Sequence, residues 1–411
     1  MIYLFLFILE VFILVVLEKR QWGSWITPLN VLALPYLIAV LTIILYREFV
    51  PGIVEFYYPS LLIWMFGLLL FEFPSAIYAK CLQTEFKQKT FSISVARKDD
   101  SYKLLRNIAY VCIGISLLKI SSLSANLDAF GTDDFSEQYQ SAGIFNHLSV
   151  LLGCIFSFAI YKFDSKHKSA LVIIIGALFG MYAVGTKSWI IAPVLMGYYA
   201  RLLTGKTTLS VRTTIFPVLI VIGIFFFSYY LTLILITEKE MSDEFLMYII
   251  NHFVNYFCSG ALTLGLDCNL GFSEPQMTEA LFGPIYNIYN AIMRYDYVQV
   301  INPVFLDMGS LGTSNVRTFF GTIIAYSKDP ILFICMSLIF SSYIYYIYFI
   351  SRKSQSLFLL LANTANLVFL TFGFFEFYWL NLSCYEIPFI CLFMHYFLYI
   401  KNKNYAVETS L

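Results

Sequence analysis

Charge is what this 411-residue sequence has least of. Asp, Glu, Lys and Arg make up 13% of it against 59% hydrophobic residues, and 26 basic side chains balance 26 acidic ones. A soluble domain has no interior large enough for that much apolar surface. Without a net positive charge the chain lacks the electrostatic footprint of a nucleic-acid partner. It also contains no GxxxxGK[ST] phosphate cradle, no GxGxxG, no GxSxG elbow and no HExxH. Soluble nucleotide-using enzymes and ATP-driven pumps are thereby disfavoured. No Cys/His spacing suggests a zinc site. Four of the eight cysteines, Cys112, Cys154, Cys335 and Cys391, fall in apolar runs and read as small buried hydrophobes. Cys258 and Cys268 lie in a more polar stretch, where a disulfide and two free thiols both remain open.

What is present is a series of apolar runs. Mean hydropathy is +0.75, and runs of about 17–23 apolar residues match the thickness of a bilayer core. In lipid the backbone must satisfy its own polar groups, so these runs are expected to be helices. Continuous runs such as Ile215–Ile236 exclude the alternating strands of a membrane barrel. We place spans at roughly 2–17, 26–46, 57–79, 105–123, 145–161, 169–185, 189–204, 215–237, 330–350, 357–376 and 387–400, about eleven in all. Met1–Leu17 has no basic n-region and no small-residue cleavage site, so it is read as a first membrane helix and not a signal peptide. With the N-terminus outside, the inside links carry 19 of the 26 Lys and Arg and the outside links six, with Lys119 in a span. That split follows the positive-inside rule and puts the C-terminus inside. The link at 124–143 holds Asp128, Asp133, Asp134 and Glu137 with no Lys or Arg, as an outside segment should. The basic link 81–104 reads as an orientation signal.

The series is interrupted once. From about Thr237 to Pro330 the chain runs for roughly 90 residues of mixed polar and aromatic sequence. Phe245, Tyr248, Ile249, His252, Phe253 and Tyr256 follow helical spacing, so Met241–Leu266 is expected to form an amphipathic helix at the interface. Gly260, Gly265 and Gly271 are expected to break it. Leu281–Val300 is helix-compatible, with Pro303 as its stop, and Ser314–Tyr326 leads into the next span. An ordered outside loop of this size points to a site at the membrane surface. Because the inside links leave no room for a nucleotide domain, a substrate is expected to arrive already activated, on a lipid.

Outside cations are rare, so each needs a reason. Lys187 sits in the turn Val184–Trp189, where the plain reading is a snorkelling helix-end lysine. Arg294 and Arg317 lie in the two halves of the loop. A guanidinium fork suits phosphate oxygens, while pairing with a neighbour, such as Arg294 with Asp296, is the plain alternative. His252 falls on the apolar stripe of its helix and is more simply a packed histidine. Asp267 and Asp307 are candidate bases by location alone. Glu72 lies well inside a span, where an ionisable group is a site hypothesis by default. It has no visible partner in the sequence.

Ser314-Asn315-Val316-Arg317-Thr318-Phe319-Phe320-Gly321, at the end of the loop and just before a span, resembles the Asn-Val-aromatic-Thr segment of bacterial O-antigen and oligosaccharide repeat-unit polymerases of the Wzy type. Gly185-Thr186-Lys187-Ser188 resembles the Gly-x-Arg/Lys turn between two of their mid-chain spans. Arg317 stands where that family more often has an aromatic, and Tyr326-Ser327-Lys328-Asp329 stands where an Asp-Phe-Gly-like segment is common. The resemblance implies a GT-C-like, all-α polytopic protein of the bacterial inner membrane, with a periplasmic N-terminus and a cytoplasmic C-terminus. Residues 1–237 would supply eight transmembrane helices, 238–329 a large periplasmic loop, and 330–411 three more helices and a short tail. It implies transfer of a growing glycan from undecaprenyl diphosphate to a lipid-linked repeat unit. Pathway partners would be a flippase and a chain-length regulator. The departing diphosphate gains negative charge, which fixed cations stabilise, and the attacking hydroxyl needs a base. On this reading Arg317, Arg294 and Lys187 meet the diphosphate, His252 or Asp267 serves the acceptor, Asn315 and Thr318 line the motif, and Tyr286, Tyr289 and Tyr295 stack on sugars. No cofactor or metal is expected.

An O-antigen ligase shares the donor and is the nearest alternative. A lipid-linked oligosaccharide flippase would show more spans and internal duplication. A membrane O-acyltransferase would offer a histidine deep in a span, and His395 lacks a partner motif for that role.

Overall fold

A computed structural model of the chain describes residues 1–85, 100–123, 143–164, 167–182, 187–229, 243–272, 276–354 and 356–400. Helices form where the apolar runs are. They are α1 Ile2–Trp22, α2 Pro28–Arg47, α3 Leu61–Glu85, α4 Asp100–Leu123, α5 Ile144–Lys162, α6 Ser169–Tyr182, α7 Lys187–Leu203 and α8 Val211–Tyr229. The later ones are α9 Asp243–Asn269, α10 Gly283–Met293, α11 Phe319–Ser327, α12 Pro330–Lys353, α13 Leu357–Thr371 and α14 Ser383–Met394, the last running into a π-helical turn, His395–Ile400. Among the described residues the only sheet is a hairpin of β1 Leu306–Asp307 and β2 Thr313–Ser314. Local chemistry explains several ends. Thr27 caps α2, with Pro28 as its first residue. Gly23 closes α1 at φ 68°, its N–H reaching Lys19 O at 3.0 Å.

Among the described residues five helical segments are long and apolar enough to cross a membrane: Pro28–Arg47, Tyr58–Leu82, Lys103–Leu123, Pro330–Lys353 and Leu357–Phe374. The protein is thus an all-α membrane protein. Shorter apolar helices cover His147–Lys162, Ser169–Met181 and Ile190–Leu203. α1, expected as a span, carries Glu10, Glu18, Lys19 and Arg20 along its length. The acidic link 124–142, most of the basic link at 86–99, and residues 230–242 at the end of the run expected at 215–237 lie outside the described residues.

Contacts group the chain into two units that interleave in sequence. One comprises Met1–Thr90, Met247–Ile350 and Asn366–Tyr385; the other comprises Phe91–Leu246, Ser351–Ala365 and Glu386–Leu411. The second unit centres on α4, α5, α6 and α7, around Ala109, Cys112, Ile155, Phe156, Ala159, Ala177 and Met181. Small residues allow these helices close approach. A Cβ on Gly197 would lie 2.6 Å from Ile160 Cβ. Arg201 donates to the carbonyls of Ile160, Tyr161 and Phe163 at 3.3, 3.3 and 2.9 Å, answering acceptors that the end of α5 leaves open.

The first unit has an aromatic core. Tyr36 and Trp64 stack with ring centroids 3.6 Å apart, and Trp64, Phe71, Phe319 and Phe320 meet edge to face. Its other feature is the long loop, which from Met247 onward belongs to the same unit as α1–α3. The amphipathic helix expected over Met241–Leu266 is α9, and it does not break at Gly260 or Gly265. The helix continues to Asn269, and only Gly271, at φ 69°, follows its end. Gly260 is a point of close approach instead: a Cβ there would sit 2.5 Å from Phe374 O and 2.8 Å from Phe375 O. The span expected through residue 376 stops early for a related reason. After Thr371 the chain makes two 3-10 turns, Phe372–Phe374 and Tyr378–Leu380, which bury Phe377 and Trp379 against Phe319 and Phe340. Cys258 and Cys268 are free thiols on α9. Ten residues of helix separate them by about 15 Å, beyond the reach of a disulfide.

Gly260→Val should destabilise the protein by about 1–3 kcal/mol through overpacking against the 374–375 backbone. Thermal unfolding of the detergent-solubilised chain tests this, and an unchanged midpoint would contradict the close approach.

Candidate functional site

The site is assembled by one face of α9 and the segment 311–318, which runs from the hairpin turn through β2 to the start of α11. Three α9 side chains hold that segment. Asn255 Nδ2 donates to Leu311 O at 2.6 Å, and Thr263 Oγ1 donates to Val316 O at 2.6 Å. Asp267 accepts from Arg317, whose Nε lies against Oδ2 and whose Nη2 donates to Oδ1 at 3.3 Å. Positions 255, 263 and 267 fall within one third of the helix circumference, so a single face carries all three. Arg317 is 1% exposed and Asp267 2%. A guanidinium so buried must bring a counter-charge with it, and the two-point fork also fixes its orientation. Arg317 Nη1 donates to Val316 O at 3.0 Å.

The next residue begins a helix. Thr318 Oγ1 accepts from Gly321 N at 3.1 Å as the cap of α11, and from Trp64 Nε1 at 3.0 Å. Thr322 Oγ1 donates to Arg317 O at 3.0 Å. Asn315 is half-buried and donates from Nδ2 to Asn302 O at 2.7 Å. Arg317, Asp267, Asn315 and Thr318 are therefore brought together, with the first two as an ion pair. The expectation had set Arg317 at the diphosphate and Asp267 at the acceptor.

The other expected residues lie elsewhere. His252 is on α9, fifteen residues before Asp267 and so about 22 Å along the axis, with its ring between Tyr248 and Tyr256 at 5.7 and 4.9 Å. Arg294 ends α10 in the left-handed conformation, φ 60°, and is exposed. Tyr286, Tyr289 and Tyr295 are exposed around it, the last two with rings 6.3 Å apart. Among the described residues no ion pair joins Arg294 to Asp296, whose backbone carbonyl instead accepts from Asn290 Nδ2 at 2.7 Å. Asp307 shapes its turn by accepting from Gly309 N at 2.9 Å. Lys187 opens α7 in the second unit, and its side chain and the turn at 183–186 lie outside the described residues. His395, also in the second unit, has its Nδ1 2.7 Å from Ser356 Oγ.

Two features escaped sequence reasoning. A cleft of about 360 Å³ lies between residues 54–59 and the α9 positions Gly265, Leu266 and Asn269. Its walls include Phe56, Tyr57 and Tyr58 with Glu55 and Asn269. The second is Glu376, two residues beyond the candidate span that ends at Phe374. It directly follows the carbonyls that press on Gly260, a contact that Thr318 Cγ2 shares. Burial lifts its carboxyl from the ordinary range to about 7. The one signal in the sequence was an acid amid Phe372–Leu380, which a continuous apolar span concealed.

The fold and this site define an all-α membrane protein with a buried ion pair between a long inter-helix segment and its supporting helix. A family model matches residues 52–404, and the chain belongs to that family, DUF6337, a family of unknown function. No curated protein and no solved structure matches the chain.

Arg317→Ala or Asp267→Ala alone should cost about 3–5 kcal/mol by leaving one buried charge unpaired. The double change Arg317→Met with Asp267→Leu should cost less than either. Unfolding midpoints of the three variants decide this, and strictly additive losses would contradict the coupling.

Glu376 holds its proton in the fold up to about pH 7, whereas an unfolded glutamate releases it near 4.3. The folded state binds more protons across that window, so stability falls as pH rises through it. Glu376→Gln should flatten the fall, read as the difference in midpoint between pH 5 and pH 8. An unaltered slope in the variant would contradict the assignment.

Proposed function

We propose that this protein is a polysaccharide polymerase that joins undecaprenyl-diphosphate-linked oligosaccharide repeat units at the periplasmic face of the bacterial inner membrane. The observation that carries the reading is the path of residues 311–318. The stretch that resembles the repeat-unit polymerases is laid along α9, with its arginine buried against Asp267. In an apolar unit such a pair marks a site.

The roles divide by exposure. Arg317 and Asp267 neutralise one another and position the loop. Arg294, exposed at the end of α10, is the cation that meets the diphosphate. The leaving group gains negative charge as the glycosidic bond to it breaks, and a fixed guanidinium stabilises that charge. Glu376, which titrates close to neutral pH, suits the role of base toward the attacking hydroxyl. The cleft beside α9 offers tyrosine faces and hydrogen-bonding groups of the kind that hold a sugar, and Tyr286, Tyr289 and Tyr295 are further exposed aromatic faces on and just after α10. His252 packs along α9 between Tyr248 and Tyr256.

Deletion of the gene should leave a lipopolysaccharide core bearing a single repeat unit, with the ladder lost. Bare core would indicate a ligase or a flippase instead. At matched expression, Arg294→Ala should shorten or abolish the ladder. Wild-type ladders from both Arg294→Ala and Arg317→Ala would overturn the site.

A further inference from the structure

Glu72, the intramembrane acid without a partner in the sequence, has one in the fold. Glu18 on α1 is fully buried, and its carboxyl lies within hydrogen-bonding reach of the Glu72 carboxyl on α3. Each acid uses one oxygen on the protein. Glu18 Oε1 accepts from Ser75 Oγ and, at 2.8 Å, from Tyr345 OH. Glu72 Oε1 accepts from Gln21 Nε2 at 2.8 Å. The other oxygen of each, Glu18 Oε2 and Glu72 Oε2, is buried and accepts no hydrogen bond from a protein donor, which leaves the facing carboxyl as its polar neighbour.

The surroundings are well ordered by hydrogen bonds and ring contacts, and among the described residues no ion pair brings a positive charge to these acids. Trp22 Nε1 donates to Ser75 Oγ at 2.9 Å, and Leu29 N donates to Tyr345 OH at 3.1 Å. Trp22 stacks on Tyr345 and meets Tyr348 edge on. Lys19, the neighbour of Glu18, turns its Nζ to Gly23 O at 3.1 Å and over the Trp25 ring. Arg20 is exposed. Among the described residues, no ion pair involves either glutamate.

Two adjacent carboxylates cannot both stay charged in such a place. We propose that Glu18 and Glu72 bind one small hard monocation between their free oxygens, a proton or Na⁺. The remaining oxygens within reach, Ser75 Oγ, Tyr345 OH and Gln21 Oε1, are of the type that either ion accepts. The site stands apart from the α9 ion pair and does not depend on the glycan reading.

The test uses the full chain in detergent at pH 7.5, as the unaltered protein and as Glu18→Gln and Glu72→Gln. Unfolding is followed with NaCl against N-methyl-D-glucamine chloride at equal ionic strength. Infrared difference spectra record the carbonyl stretch of protonated carboxyls. A Na⁺ site gives a saturable rise in midpoint of at least about 3 °C, absent in Glu72→Gln. A proton site gives no Na⁺ effect but a protonated-carboxyl band that Glu72→Gln removes. The proposal is overturned if the unaltered protein shows no Na⁺ effect and its carboxyl band is the same in Glu72→Gln. Should Glu18→Gln fail to fold, Glu72, only half-buried, and the Na⁺ titration of the unaltered chain carry the decision.

Discussion

A guanidinium taken out of water must be matched by a negative charge, and in this protein the match comes from another helix. The bidentate contact between Arg317 and Asp267 determines the path of the chain around it. It fixes where residues 311–318 run along α9, and so where Asn255 and Thr263 find their carbonyls. It brings Thr318 to the point where one hydroxyl caps α11 and meets Trp64. α11 then carries Phe319 and Phe320 into the aromatic core with Trp64, Phe71, Phe377 and Trp379. A loop that would otherwise lose order to entropy becomes a wall of the first unit.

This arrangement separates two uses of positive charge. Arg317 is buried and neutralised by Asp267. Arg294 is exposed on a left-handed helix end among exposed tyrosines, where an anionic, sugar-bearing substrate would reach it. Glu376 sits between these regimes. It is close enough to the core for burial to raise its carboxyl to about 7, yet it lies just past the end of a candidate span.

The Glu18–Glu72 pair applies the same electrostatic rule with the opposite answer. There the nearby groups are hydroxyls, an amide and another acid, so the compensating charge has to come from outside the chain. Paired acids in the first unit and an acid–base pair under the loop are both polar islands in an apolar protein.

Helices, and membrane residence, were legible in the sequence because they depend on local quantities: run length, apolar content and backbone hydrogen bonds closed within each segment. Caps at Thr27 and Gly23 are equally local. In the loop, α9 was visible from spacing, and Leu281–Val300 read as helix-compatible, although the helix there covers Gly283–Met293 and stops where Arg294 turns left-handed. The partner of Arg317 was not, because Asp267 lies fifty residues earlier and only folding makes them neighbours. Gly260 and Gly265 read as helix breakers because local propensity treats glycine as a loss of order. In the structure α9 passes through both, since packing against residues 374–375 outweighs propensity at Gly260. The early end of α13, the cleft at 54–59, the lifted carboxyl of Glu376 and the companion of Glu72 share that origin. Each depends on which surfaces exclude water together, and that is decided by the tertiary structure alone.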